Sequence, residues 1–309
     1  MKTKTIQFTL LAESPLAILQ SRASQQFAKT LDYLPGSAVR GAFAEIFLNK
    51  KGSADPIFRH IFVDQSIRFS DFLPTFTGEA PIVLPATAAA CKRHKLGHIE
   101  SLRDRLIDMM PGARTAQSDD MPNCTCGSRL DRVAGTYIQR IDSPAQVQPH
   151  RQLRMHVGMS RTRGTAQHGQ LFSYEMLIDK RRARQEAGNN ENGATMMPLQ
   201  FIGQLEARGD APEQLFAELQ KVVPDREHLS VGKARTRGLG ELTIASRTPV
   251  AAASDFAERW HAFNEKINPS PAGVACYFSI TLKSHLILRD ALGLPVLDRI
   301  DSTHLGFPD

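Results

Sequence analysis

Apolar and polar residues alternate at the start of the chain. Ile6, Phe8 and Leu10 share one face of residues 5–12, the pattern of a half-buried strand. A polar stretch follows, and then Leu34-Pro35-Gly36-Ser37. Ser37 is the predicted N-cap of a helix whose apolar face carries Val39, Phe43, Ile46 and Phe47. Ile67-Arg68-Phe69-Ser70 and Ile82-Val83-Leu84 read as short strands. Alternation returns at Leu199, Phe201, Gly203 and Leu205, predicting a strand over 199–207. Asp210-Ala211-Pro212 opens a second helix, with Pro212 suited to its first turn and Leu215, Leu219 and Val222 as its apolar stripe. After a glycine-rich turn, Glu241-Leu242-Thr243-Ile244 is the next strand. This β-α-β then β-α-β order predicts an α+β fold of the split, ferredoxin-like kind. A large insertion at about residues 85–195 interrupts it.

A further region begins near residue 254. Ser254 is placed to cap a helix bearing Phe256, Trp260 and Phe263, and residues 268–273 (Asn-Pro-Ser-Pro-Ala-Gly) form a linker. Residues 274–289 then repeat the opening pattern of residues 6–19: an alternating strand, a serine and a short apolar tail. The reading is a main domain over 1–250 and, over 254–309, a linker helix with a truncated second domain. The 36 residues from 274 to 309 are too few for an independent domain of this kind. Either the second domain is degenerate or the chain is shortened.

Composition narrows the class. Of 309 residues, 41% are hydrophobic and 23% charged, which excludes a largely disordered or collagen-like chain. No stretch reaches the roughly 18 apolar residues of a membrane span, and the N-terminus lacks the apolar core of a signal peptide. A soluble cytoplasmic protein is expected. The net charge of +6 permits an anionic partner. Its distribution says more. Arg151, Arg154, Arg161 and Arg163 lie in an acid-free stretch, Lys180-Arg-Arg-Ala-Arg184 is a second run and Lys233-Ala-Arg-Thr-Arg237 a third. Three such runs point to a polyanion such as RNA. With 4 Tyr and 1 Trp, an aromatic stacking platform is not the expected binding mode.

Cys91, His94, His98, Cys124 and Cys126 fall within 36 residues and include three of the chain's 4 cysteines. In a cytosolic protein this clustering favours zinc over a disulfide. Zinc in a structural site takes four sulfur or nitrogen ligands. Cys91, His98, Cys124 and Cys126 are the favoured set, with His94 as the substitute. His98 would sit at the start of a helix carrying Ile99, Leu102, Leu106 and Met109. The metal would fold an insertion too polar to build its own core.

The segment Gly232-Lys-Ala-Arg-Thr-Arg-Gly-Leu-Gly240 combines glycines, which allow close backbone approach, with cations that hydrogen-bond phosphate. It lies between a predicted helix and a strand, so it is not a Walker A loop. Together with Leu34-Pro-Gly-Ser-Ala-Val-Arg-Gly-Ala-Phe43, it resembles the motif pair of the CRISPR-associated RAMP superfamily, in the same order. Cys91-Lys92, His98, Cys124, Cys126 and the segment Met155–Glu175 resemble more narrowly the large RAMP subunit of type III-D effectors. That subunit is a group 5 type, which caps the complex and holds the 5′ handle of the guide RNA. The resemblance spans roughly residues 5–290. The short C-terminal part departs from it and points to a streamlined relative such as a type VII effector.

The resemblance implies an RNA-recognition-like domain that grips single-stranded RNA through its glycine-rich loop. It assigns Lys233, Arg235 and Arg237 to phosphates, with Gly238 and Gly240 allowing close approach. Ser37 and Arg40 at the helix start are further candidates. Arg161, Arg163 and His168 belong to a predicted hairpin over Arg154–Glu175 that reaches along the guide or onto a neighbouring subunit. The implied partners are crRNA, RAMP backbone subunits and a separate nuclease subunit. Two catalytic readings stand as alternatives: a ribonuclease using His156 or His168 near Arg161, and a backbone subunit slicing with Asp32. The leading expectation is a non-catalytic crRNA-binding subunit with structural zinc.

Overall fold

Alternation along the first strand requires one of its faces to be covered. In this computed structural model the described residues are 2–20, 27–97, 99–105, 124–133, 135, 137–139, 146–182, 196–251, 256–267, 288–289 and 295–296. The main elements in chain order are β1 (Lys2–Ala12), α1 (Gly36–Lys51), β2 (Ile67–Phe69), β3 (Leu73–Thr75), β4 (Arg151–Met159), β5 (Ala166–Leu177), β6 (Gln200–Gly209), α2 (Pro212–Val222), β7 (His228–Ser230), β8 (Glu241–Pro249) and α3 (Phe256–Ile267). The principal sheet is antiparallel, in the order β7-β8-β1-β6-β2, with β3 also paired to β6. β1 therefore lies between β6 and β8. Its register runs from Lys2 opposite Gly209 to Leu11 opposite Gln200 on one side, and a bulge at Thr9/Leu10 interrupts its pairing with β8 on the other.

α1 and α2 touch each other and pack on this sheet. Val39, Phe43 and Phe47 recur every fourth residue on α1 and are fully buried. Phe43 meets the edges of Phe8 and Phe69 at centroid distances of 5.9 and 5.6 Å. α2 begins at Pro212, whose ring fits the first helical turn. It buries Phe216, Leu219 and Val222 in the same core, while Leu215 stays half-buried.

The start of α1 differs from its prediction. Ser37 is exposed and caps nothing; the helix begins at Gly36 after Pro35. Gly36 lies against β2, where an added Cβ would come within 2.4 Å of the Phe69 carbonyl oxygen. This approach brings the Asp71 carboxylate over the first turn, and Oδ1 accepts the Gly36 N–H at 2.8 Å. The acceptor that closes the helix comes from 35 residues away rather than from the predicted N-cap.

Between β3 and β6 the described residues build small sheets. Ala88–Cys91 pairs with Arg103–Asp104 and Leu130–Arg132, and Ile82–Val83 joins Tyr137–Ile138 and Gln146–Val147. β4 and β5 form a long hairpin, with Phe27–Ala28 parallel to β5. The helix predicted after His98 is a 3-10 turn at Ile99–Ser101 followed by the strand Arg103–Asp104. Ser101 Oγ accepts the Cys91 N–H at 2.9 Å and pulls the chain into the sheet; Leu106 and Met109 lie outside the described residues.

The chain divides into two units, Met1–Phe278 and Ser279–Asp309. In the second, Leu288–Arg289 pairs with Pro295–Val296. Most of the internal repeat read at 274–289 lies outside the described residues. No helix among the described residues is long and apolar enough to cross a membrane.

Candidate nucleic-acid interface

The glycine-rich segment joins β7 to β8, a strand pair in which β7 was not anticipated. The loop is fastened to the segment that leaves β1. Lys233 N–H donates to the Ala17 carbonyl at 2.8 Å, Gly240 N–H to Pro15 at 2.9 Å and Glu241 N–H to Ser14 Oγ at 3.0 Å. Val231 and Gly240 close its neck at 2.9 Å, and Arg235–Arg237 forms a single 3-10 turn.

Three glycines here are left-handed, for different reasons. At Gly240 (φ 84°) an added Cβ would lie 1.9 Å from the Val231 carbonyl oxygen, and at Gly232 2.5 Å from that of Ala17. Gly240 serves packing at the loop's neck and is buried, and Gly232 serves packing of the loop on the segment that leaves β1. Gly238 (φ 76°) faces open space and is the glycine that leaves room for a ligand. Lys233, Arg235 and Arg237 are exposed. Arg235 is paired to Glu45 of α1 at 2.5 Å; Lys233 and Arg237 have no carboxylate partner among the described residues.

The hairpin meets this loop through a small apolar cluster of Tyr174, Met176, Leu239, Ala17 and Ala28, with Phe172 and Ala234 against it. His156 lies directly opposite Phe172 in the register. Its ring stacks on Phe172 and Tyr174 with centroids 5.3 and 4.8 Å apart. His156 Nε2 and the Tyr174 hydroxyl are buried without a hydrogen-bond partner among the described residues. Burial holds the His156 pKa below its ordinary value, and the charges of Arg237 and Arg154 add to this. Arg237 of the loop and Arg154 of the hairpin thus both lie near enough to His156 for their charges to act on it. Composition gave no sign of this aromatic strip; the i, i+2 alternation of Phe172 and Tyr174 opposite His156 was its signal.

The other face of the hairpin is apolar and open, with Leu153, Met155, Val157, Met159 and Leu171 all about half exposed. Arg161 and Arg163 are exposed at its tip. His168 lies on β5, its side chain outside the described residues. Arg151 does not join the basic surface. Its guanidinium clasps both Asp32 oxygens at 2.9 and 2.6 Å and lies 3.5 Å from Glu175. The Asp32 carboxylate offered above for slicing is thereby committed to an ion pair. Arg40 donates to the Phe62 carbonyl at 2.8 Å, and Arg181 of the second basic run stacks over Phe76 at 4.0 Å.

Cys91, Cys124 and Cys126 bring their sulfurs within 4.8 Å of one another. Cys91 Sγ lies 3.6 Å from Cys126 Sγ and 3.6 Å from His94 Nδ1. A disulfide needs about 2.05 Å, whereas tetrahedral zinc with Zn–S of about 2.3 Å and Zn–N of about 2.0–2.1 Å sets sulfur–sulfur and sulfur–nitrogen edges of about 3.8 and about 3.6 Å. The spacing therefore fits a shared metal. The histidine that the structure brings to Cys91 is His94; His98 lies outside the described residues.

No protein-family model matches the sequence, and no curated protein matches it. Coarse likenesses are found among solved structures. A chain of the cryo-EM structure of the Type III-B Cmr-beta bound to cognate target RNA is 11% identical with a TM-score of 0.41, covering 81% of this chain and 97% of that one. A chain of the apo-state structure gives the same identity and score over 80% and 98%. A third, from the complex with target RNA and AMPPnP, scores 0.38 over 79% and 62%. At these values no residue role is transferred.

Proposed function

We propose that this chain is a non-catalytic RNA-binding subunit of a CRISPR ribonucleoprotein, built on a ferredoxin-like RAMP domain. In this reading it is of the group 5 type, related to type III-D or type VII effectors. It holds the crRNA 5′ handle and caps a filament of RAMP backbone subunits, while a separate subunit supplies nuclease activity. The supporting observation is the glycine-rich loop, hydrogen-bonded to the exit of β1 and presenting Lys233 and Arg237, which have no carboxylate partner among the described residues; Arg237 and Arg154 of the hairpin both act on His156. Phosphates of a single strand are the ligands such a surface fits. The open apolar face of the hairpin fits a neighbouring protein subunit. Zinc, held by Cys91, Cys124 and Cys126 with a histidine, has a structural role.

The test is fluorescence anisotropy of repeat-derived handle RNA against a scrambled RNA of equal length, over a salt series. A preference for the handle, with a shallower salt dependence after Lys233→Ala with Arg237→Ala, is the expected result. Equal binding to both RNAs removes the handle assignment. Native mass of the assembled complex separates a cap, present once, from a backbone subunit present several times.

A further inference from the structure

The cysteine centre sits within a strongly basic pair of loops that the reading above does not use. Cys91 ends its strand, and the chain turns back at once: Lys95 N–H donates to the Cys91 carbonyl at 2.7 Å and His94 N–H to Cys91 Sγ at 3.4 Å. Opposite, Cys124 to Ser128 close a second tight turn. Lys92 N–H donates to the Arg129 carbonyl at 3.0 Å, which clamps the two turns together.

The two turns, residues 91–97 and 124–132, contain five Lys and Arg against one Asp, whereas the whole span 88–133 has eight against six. Lys92, Arg93, Lys95, Arg129 and Arg132 are exposed, and none has a carboxylate ion pair among the described residues. Three thiolates with a neutral histidine and Zn²⁺ carry about −1 in total, so one nearby cation compensates the centre. Five exposed cations exceed that need. Flexible lysines and arginines would repel one another if left unordered. The clamped turns present them at fixed spacing instead.

We propose that this metal-stapled knuckle is a second RNA-binding site, distinct from the glycine-rich loop, in which Lys92, Arg93, Lys95, Arg129 and Arg132 contact phosphates of single-stranded RNA. The metal orders the two turns and touches no RNA. The site takes its RNA partner from the reading above but none of its residues.

The experiment uses the full chain, with zinc measured by elemental analysis and RNA binding by anisotropy across a salt series, the probe being the repeat-derived single-stranded RNA. Three variants are compared: Lys92→Ala/Arg93→Ala/Lys95→Ala, Arg129→Ala/Arg132→Ala, and Lys233→Ala/Arg237→Ala. The expected result is that the first keeps one zinc per chain while its log–log salt slope shrinks by about 2, from three lost phosphate contacts on a single strand. The second keeps zinc and shrinks the slope by about 1.4 on the same arithmetic. Retained zinc with an unchanged slope in both overturns the proposal. So does loss of zinc from both, because the cations would then serve the thiolates. If only the Lys233 and Arg237 variant changes the slope, the knuckle proposal falls and the glycine-loop reading stands. If only the knuckle variants do, the reverse holds.

Discussion

Gly238 and Gly240 stand two residues apart with nearly the same φ, yet they answer to different constraints. A methyl group at Gly240 would collide with the Val231 carbonyl oxygen, in a left-handed conformation, inside a buried neck. At Gly238 it would meet nothing. Gly240→Ala should therefore cost at least about 2 kcal/mol in urea denaturation, and Gly238→Ala only about 1 kcal/mol. If the Gly238 variant loses RNA affinity while remaining folded, the open side of that residue is where the RNA backbone comes close. His156 gives a second residue-scale test. Its native pKa is lowered, by burial first and then by Arg237 and Arg154. The native state thus resists protonation of this ring. Stability present above the ordinary value of about 6.5 is lost as pH falls from there through the native pKa. An NMR titration should place the His156 midpoint below its ordinary value, and Arg237→Ala should move it back up. A midpoint that does not respond to Arg237→Ala would separate the loop from the hairpin.

At the scale of elements, legibility in the sequence followed periodicity and length. β1, α1, β6, α2 and β8 were readable because each repeats an apolar position often enough to define a face: Phe8 and Leu10 on a strand, Val39, Phe43 and Phe47 on a helix. β7 has three residues and buries only Leu229, too little to register as a pattern. The cap of α1 was misread because its acceptor, Asp71, is distant in sequence, and no local rule could supply it. The segment after His98 was misread as a helix because Ile99 and Leu102 have helical spacing, whereas the Ser101 bond to Cys91 selects a sheet. At the interface the cations of loop and hairpin were legible from composition, but which of them are free was not: Arg235 of the loop is drawn off by Glu45, and Arg151 of β4 by Asp32 and Glu175. The Arg151 pair also fixes an element. It joins the base of β4 to the turn at Asp32, and Arg151→Ala should accelerate amide hydrogen exchange along β4 and near residue 32 while leaving β1 and β6 protected. Unchanged exchange at the base of the hairpin would assign its anchoring to the Tyr174–Leu239 cluster alone.

The whole molecule sets apolar burial against what the metal would supply. The main core runs continuously from Phe8 and Phe43 through Phe201 to Phe216 and Leu242, so the principal sheet has ample apolar surface of its own. Among the described residues, the region around the cysteines has a separate cluster of Leu84, Ala88, Ala90, Leu96 and Ile138, two of them alanine. These described side chains contribute little against the entropy of ordering two turns and three short strands. A four-coordinate metal would make up that difference locally, because binding free energy at such a site is folding free energy. Removing zinc with a strong chelator should then abolish exchange protection at residues 88–91 and 130–132 while protection in β1, β6 and β8 persists. Cys124→Ser should reproduce the effect without chelator, and adding Co²⁺ to the stripped wild-type chain should restore protection together with a thiolate-to-metal absorption band. RNA binding by Lys233 and Arg237 should survive chelation, since their loop is held by β1, whereas the part of the salt dependence carried by the knuckle should disappear with the metal. If chelation instead melts the whole chain in one cooperative step, the cysteine region is part of the main fold, and the division between a self-sufficient core and a metal-ordered knuckle is wrong.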